Sequence, residues 1–137
     1  MPAPSWPMAT ERLLLRPFEQ GDLASLHAIH SDEHVVRWLL NDVRSLEETQ
    51  AILDRKIASS TLGGEGDWLS AAVALRQSGE LVGDVSFHWT SEPYAQGELG
   101  FVFATAHHGK GYATEAARPV LDFAFGALQL HRVVGRL

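Results

Sequence analysis

The chain has no cysteine among its 137 residues, which excludes both a disulfide framework and a thiolate nucleophile. It also has no apolar run long enough to span a bilayer. Basic residues are fewer than acidic ones, 11 against 17, and the formal net charge is −6. Proteins that bind nucleic acid usually carry a basic patch, whereas an acidic surface attracts amines. We therefore expect a cationic substrate or partner, and neither nucleic acid nor a membrane.

The first residues lack the features of a secretory signal. Residues 1–7 carry three prolines, with neither a basic n-region nor an apolar h-region. A chain of this length fits a single domain. We therefore expect a cytoplasmic protein with a proline-rich leader over residues 1–9 and one domain over residues 10–137.

Hydrophobic periodicity predicts an α+β protein in which strands and helices are mixed along the chain. Two helix starts are marked, by Asp22 as an N-cap and by the capping-box pair Ser45 and Glu48. The predicted elements, in order, are a strand at 12–16, helices at 22–30 and 45–59, strands at 68–76, 81–89 and 98–104, a helix from about 112, and a strand at 131–137.

The order of these elements predicts a mixed, mostly antiparallel sheet with helices on both faces. The strand, helix and strand at the C-terminal end imply one parallel crossover pair. Within the strand at 81–89, alternation predicts Leu81 and Val85 on one face, with Asp84 and His88 on the other.

The most informative stretch lies between the strand at 98–104 and the helix that follows it. It reads His108-Gly109-Lys110-Gly111-Tyr112-Ala113-Thr114. Two glycines allow a tight turn and a close approach of the backbone to a ligand, and the helix start adds unpaired N–H groups and the positive end of its dipole. This pattern predicts a phosphate site, with an ordinary glycine-rich turn as the alternative. A generic nucleotide site is disfavoured because the Walker pattern is absent.

Several sequence blocks resemble the GNAT superfamily of acetyl-CoA-dependent N-acetyltransferases. In the glycine stretch, His108 stands where the family has Arg or Gln. The other blocks are Thr10-Glu11-Arg12-Leu13-Leu14-Leu15-Arg16-Pro17, Gly79-Glu80-Leu81-Val82-Gly83, Glu98-Leu99-Gly100, Gly109-Lys110-Gly111-Tyr112-Ala113-Thr114-Glu115-Ala116 and Leu130-His131-Arg132-Val133. Together they are similar to the branch that contains the ribosomal-protein N-terminal (alanine or serine) acetyltransferases. The resemblance implies a GNAT-like fold and acetyl transfer by direct attack to a primary amine, on a peptide N-terminus or a small molecule.

The resemblance also implies which residues bind acetyl-CoA. The pyrophosphate is expected against the stretch from His108 to Thr114, with charge added by Lys110. In the family, the strand before this stretch pairs its main chain with the pantetheine arm. By position, that role falls to Val102, Phe103 and Ala104.

The acceptor amine arrives mostly as ammonium at neutral pH, so a base must remove its proton. Glu98 begins the strand whose far end is expected to hold the cofactor, where several family members place a glutamate base. A solvated glutamate is the alternative, and Asp84 and His88 are weaker candidates. The acceptor-binding residues implied by the resemblance are His34, Trp38 and His88, although Trp38 also fits a core position.

The remaining histidines do not predict a metal site. His27, His30 and His34 have a spacing that can bring imidazoles together, but no cysteine or matched carboxylate pattern accompanies them. We expect no metal.

In the family, a segment after the final strand supplies an Asn contact to pantetheine and a Tyr or Ser that protonates the thiolate. This sequence contains no such segment after Leu137. We therefore expect a C-terminally incomplete domain, or one completed by another copy, with self-association. A non-catalytic acyl-CoA-binding or interaction module is the alternative to an enzyme.

Overall fold

The computed structural model describes residues 4, 6–30, 45–62, 66–91, 96–104, 110–126, 130 and 132–136. The elements of these residues are β1 (Met8–Ala9), β2 (Leu13–Arg16), α1 (Leu23–His30), α2 (Leu46–Ile57), β3 (Trp68–Leu75), β4 (Leu81–Ser91), β5 (Gln96–Phe103), α3 (Tyr112–Gly126) and β6 (Arg132–Arg136). A 3-10 turn, Gln20–Asp22, precedes α1. Within this described part, no helix combines the length and apolar character needed to cross a membrane.

The strands form one sheet in chain order, from β1 to β6. Every neighbouring pair from β1 to β5 is antiparallel, and β6 runs parallel to β5. The chain passes through α3 between β5 and β6, as a parallel crossover requires. The predicted mixed, mostly antiparallel sheet is confirmed.

Each face of the sheet carries a core of buried apolar side chains. The larger core packs against α3 and includes Leu13, Leu15, Val73, Val85, Phe87, Leu99, Ala116, Val120 and Ala124. The smaller core, under α1 and α2, consists of Phe18, Leu26, Leu53, Ala72 and Leu81. The prediction of helices on both faces is therefore confirmed.

Leu81 lies on the face opposite to the predicted one. The β3–β4 register shifts between Val73 and Ala74, where Val73 pairs with Gly83 and Ala74 pairs with Leu81. The extra residue in β4 is a β-bulge, which reverses the alternation at that point. Leu81 consequently packs in the smaller core while Val85 packs in the larger one.

Gly83, next to this bulge, is required by close packing. A Cβ at this position would lie 2.5 Å from Cδ1 of Phe103, which is far inside van der Waals contact. The Phe103 ring therefore covers the backbone of β4 because residue 83 has no side chain. This contact fixes the end of β5 that leads towards α3.

The two predicted helix caps have different outcomes. The capping box of α2 is confirmed, since the Ser45 hydroxyl accepts from the Glu48 N–H and the Glu48 carboxylate accepts from the Ser45 N–H. The N-cap assignment of Asp22 is wrong. Asp22 ends the 3-10 turn, and its carboxylate instead accepts two hydrogen bonds from the Arg16 guanidinium, at 2.8 and 2.9 Å.

Part of the predicted leader joins the sheet. Met8 and Ala9 pair with Leu15 and Leu14 as the edge strand β1. The Trp6 indole N–H donates to the Ser60 carbonyl at 3.1 Å, and its ring packs against the larger core. These contacts hold the chain in place just before the Thr10 and Arg12 positions that reach the candidate site.

Candidate functional site

The N-terminus of α3 begins with a left-handed glycine. Gly111 has φ +79° and Tyr112 is the first helical residue. A side chain at residue 111 would strain this backbone. The first N–H groups of α3 have no intrahelical acceptors, so the positive end of the helix faces out of the turn. Lys110 is exposed beside it, whereas His108 and Gly109 lie outside the described residues.

Glu115 lies in the first turn of α3, where its negative charge would repel an anion. Its carboxylate is held by donors from the segment between β1 and β2. Oε2 accepts from the Thr10 hydroxyl and, at 2.9 Å, from the Arg12 N–H, while Oε1 accepts from Nε of Arg12 at 2.7 Å. The Glu115 charge is thus neutralised by Arg12.

Arg12 also contacts the turn itself. Its Nη1 donates to the Lys110 carbonyl at 2.9 Å, and its guanidinium lies 4.6 Å from the centre of the Tyr112 ring. Thr10, Arg12 and Glu115, which we call the α3 clamp, therefore fix both sides of the Gly111 turn. The sequence analysis missed the clamp, although all three residues lie in the quoted motif blocks.

The pKa of Glu115 reflects this arrangement. Burial raises the pKa of the carboxyl, but the hydrogen bonds from Thr10 and from the backbone and side chain of Arg12 outweigh that effect. The pKa therefore lies below its ordinary value, and the carboxylate is ionised at neutral pH. The clamp carries a full ion pair under physiological conditions.

The turn fits a diphosphate in its chemistry. Gly111 allows a close backbone approach, the N–H groups at the start of α3 point outwards, Lys110 supplies positive charge, and Arg12 neutralises Glu115. The predicted residues Tyr112, Ala113 and Thr114 occupy the first turn of the helix.

The backbone groups near the end of β5 alternate in direction. β6 pairs with β5 from Gln96 to Gly100. The Ala104 N–H donates to the Val82 carbonyl at 2.9 Å. Because antiparallel backbone groups alternate in direction, those of Val102 and Ala104 are directed at β4, and those of Phe101 and Phe103 are directed away from it. Of the three residues predicted to contact pantetheine, Phe103 thus has the most suitable backbone direction.

A row of three side chains crosses the sheet near the start of β5. Trp68 pairs with His88, and His88 pairs with Glu98. The Trp68 and His88 rings are stacked, with centroids 4.2 Å apart and an interplanar angle of 3°. Trp68 is 50% exposed, and His88 and Glu98 are partly exposed. The structure thus brings the predicted base and one predicted acceptor-binding residue together, and it adds Trp68, which the sequence analysis did not select.

Asp84 lies on the same face and forms a buried ion pair. Its Oδ2 is 2.6 Å from Nζ of Lys56, and the two side chains are 5% and 14% exposed. Its Oδ1 is buried and has no hydrogen-bond partner in the part of the chain that the structure describes. An unsatisfied buried acceptor costs about 1–3 kcal/mol, more when it is charged, so this oxygen is a feature that needs explanation.

Two predicted acceptor residues, His34 and Trp38, lie outside the described residues. Of the three spaced histidines, His27 has its ring Nδ1 3.1 Å from the Thr49 hydroxyl. Across the described ranges, no group of three or more histidine, aspartate or glutamate side chains has the arrangement of a metal site.

A family model of the GNAT acetyltransferase domain matches residues 12–137. The chain belongs to the GNAT acetyltransferase family. It is 30% identical over 128 residues to the uncharacterized N-acetyltransferase YnaD of Bacillus subtilis, and the match covers 93% of this chain and 70% of that protein. It is 24% identical over 123 residues to spermidine N(1)-acetyltransferase of Vibrio cholerae, and the match covers 89% and 67% of the two chains.

Solved structures share the fold. A GNAT-family acetyltransferase from Bacillus anthracis superposes with a TM-score of 0.77 at 31% identity, covering 93% of this chain and 71% of the other. A proposed ribosomal-protein-serine acetyltransferase from Vibrio cholerae gives a TM-score of 0.78 at 23% identity, covering 96% and 73%. Spermidine N-acetyltransferase from Vibrio cholerae, in complex with CoA and spermine, gives 0.71 at 23% identity, covering 90% and 70%. At 23% identity, the last two show the fold alone.

These comparisons confirm the predicted GNAT fold, and with the family they identify this GNAT chain as an N-acetyltransferase. The narrower assignment to the ribosomal-protein branch stays a prediction.

Proposed function

We propose that this GNAT domain transfers an acetyl group from acetyl-CoA to a primary amine of a small molecule, by direct attack. The observation that carries the proposal is the Gly111 turn at the start of α3, where the clamp neutralises Glu115 beside outward-facing N–H groups. Such a turn suits the diphosphate of CoA. The CoA complex of a GNAT enzyme with the same fold is consistent with this role.

The proposed path of acetyl-CoA follows from the order of the elements. With its diphosphate at the predicted stretch from His108 to Thr114, the pantetheine arm runs back along β5 past Phe103 and Phe101. We expect the thioester close to Gly100, which lies three residues before Phe103 on β5.

Glu98 suits the role of base because it lies close to the expected position of the thioester. It lies on β5 two residues before Gly100, about 7 Å along the strand. Its side chain is partly exposed and reachable by an acceptor. A carboxylate here can take the ammonium proton directly or through one water molecule.

The proposed reaction has a simple balance. The ammonium loses a proton to Glu98, and the resulting amine nitrogen attacks the thioester carbonyl carbon. A C–N bond forms and the C–S bond breaks, and the leaving CoA thiolate takes up the second proton that the nitrogen releases as the amide forms. Holding amine and thioester together supplies much of the acceleration, since the reaction becomes effectively intramolecular.

A small-molecule amine is favoured over a peptide N-terminus as the acceptor. A relative of this chain is named for acetylation of spermidine, a small amine. The acidic net charge and the partly exposed Glu98 also favour a cationic acceptor. His88 is proposed to line the acceptor site together with His34 and Trp38.

The test is an acetyl-CoA thiol-release assay across small amines and peptides, with the acetylated product identified by mass spectrometry. We expect equal amounts of CoA and acetylated amine. Glu98→Gln is expected to lower kcat by about 10²-fold, because a positioned base contributes 10²–10⁴-fold, and to leave the Kd of CoA unchanged. Binding of CoA without turnover of any amine would contradict the proposal and support a non-catalytic module.

A further inference from the structure

Three small residues form a row across the face of the sheet that carries α1 and α2. Ser70 pairs with Ser86, and Ser86 pairs with Gly100. Residues that lie directly opposite on neighbouring strands share one face, so this serine–glycine row is a low strip across β3, β4 and β5. Ser86 and Gly100 are partly exposed, whereas Ser70 is buried, so the accessible part of the strip lies at Ser86 and Gly100.

Larger groups stand on both sides of the strip. Two residues away in one direction, about 7 Å, lies the row of Trp68, His88 and Glu98. At the same distance in the other direction lies Asp84, next to Val102. The serine–glycine row is therefore the floor of a trough between these two sets of larger groups.

Asp84 supplies a second and independent indication of a ligand. Its side chain is 5% exposed, and its Oδ1 has no hydrogen-bond partner among the described residues. Buried carboxylate oxygens normally accept hydrogen bonds, so this atom calls for an N–H or O–H donor that the described part of the chain does not supply.

The ion pair with Lys56 determines whether a neutral or a charged donor is better suited to Oδ1. Nζ of Lys56 lies 2.6 Å from Oδ2, and the ion pair is close to neutral as a unit. An ammonium at Oδ1 would be attracted by the carboxylate but repelled by Lys56, which reduces its net attraction. A hydroxyl or amide N–H satisfies Oδ1 without that repulsion.

We infer that the trough is the acceptor site, and that it takes a primary amine whose far end carries a neutral hydrogen-bond donor, a hydroxyl or an amide N–H. The reacting amine lies at Glu98, the linking atoms cross Ser86 and Gly100, and the donor binds Oδ1 of Asp84. The Cα atoms of Glu98 and Asp84 are about 14 Å apart, so the acceptor binds extended. This inference rests on the proposed acetyl transfer.

The experiment compares KM values for length-matched monoamines, amino alcohols and diamines, from propyl to octyl chains. In the unmodified chain, one amino alcohol is expected to have a KM at least about tenfold below that of its monoamine, and no diamine is expected to improve on it. Asp84→Asn is expected to remove most of this advantage while the monoamine KM stays within about twofold.

A second variant covers the case in which Asp84→Asn fails to fold after losing its ion pair. Ser86→Ile fills the trough and leaves Asp84 and Lys56 intact. It is expected to raise the amino alcohol KM by at least about tenfold with the Kd of CoA unchanged. Ala51→Ile is the control, since it adds a similar side-chain volume at an exposed position of α2 outside the trough, and it is expected to leave both values unchanged.

The outcomes separate the two proposals. Turnover with equal KM values for amino alcohols and monoamines would overturn the inference alone, as would a preference for diamines. Wild-type KM values in folded Ser86→Ile would also overturn it. Absence of turnover with every amine, despite CoA binding, would overturn the proposed function and the inference with it.

Discussion

Replacing Arg12 tests whether the α3 clamp holds the Gly111 turn in the conformation that is proposed to bind CoA. In Arg12→Gln, the hydrogen bond to the Lys110 carbonyl and the ion pair with Glu115 are both lost. Arg12 is 44% exposed, so solvent screening limits the ion pair to about 1 kcal/mol or less. A hydrogen bond of this kind contributes about 1 kcal/mol. If the lost bond to the turn is the contribution that matters for binding, the Kd of CoA is expected to rise about fivefold.

Calorimetric titration of CoA measures this change, and a truncated cofactor separates positioning from general damage. S-acetylpantetheine has no diphosphate, so its KM is expected to be the same in Arg12→Gln and in the unmodified chain. Glu115→Gln is expected to weaken CoA binding less than Arg12→Gln, because it removes the ion pair but also removes the negative charge that repels an anion. The double variant is expected to add little, because both residues act through one clamp.

Asp22→Asn is the matched control, since it breaks the Arg16–Asp22 ion pair at the 3-10 turn. It is expected to lower stability and leave the Kd of CoA unchanged. The reasoning would be refuted if folded Arg12→Gln bound CoA as tightly as the unmodified chain, or if its S-acetylpantetheine KM rose as much as its acetyl-CoA KM.

Two further predictions concern stability. Burial raises the pKa of Asp22, but hydrogen bonds from Arg16 and from the Glu19 N–H bring it below its ordinary value. The contribution of Asp22 to the free energy of unfolding is therefore present above its unfolded pKa of about 3.9, and it is lost as the pH falls through the lower folded pKa. Urea unfolding at a series of pH values should show that the free energy of unfolding falls less steeply with decreasing pH in Asp22→Asn than in the unmodified chain. The same dependence on pH in both proteins would contradict this. Gly83→Ala forces a Cβ into the Phe103 ring and is expected to cost about 1–3 kcal/mol, visible as a lower Tm, whereas an unchanged Tm would contradict the packing.

Features encoded by neighbouring residues were predictable from the sequence. The α2 capping box depends on Ser45 and Glu48, three residues apart, and its two reciprocal hydrogen bonds form as expected. The order of helices and strands along the described chain from β2 onward and the parallel crossover follow from periodicity and connection length, and both are present.

Features that depend on distant partners were not predictable. Asp22 has the residue type of an N-cap, but Arg16 competes for its carboxylate. The face of Leu81 is set by a bulge that appears only when β4 pairs with β3. The clamp joins Arg12 to Glu115, which are 103 residues apart. The trough needs Ser70, Ser86 and Gly100 in register on three strands, and no single segment carries that signal.

The central claim, that acetyl-CoA binds with its diphosphate at the start of α3, is tested most directly by a crystal structure of the chain with CoA. The account predicts diphosphate oxygens within hydrogen-bond distance of the N–H groups of Tyr112, Ala113 or Thr114, with the Arg12–Glu115 ion pair intact beside them. A diphosphate bound elsewhere, with the Gly111 turn making no contact to it, would contradict the account.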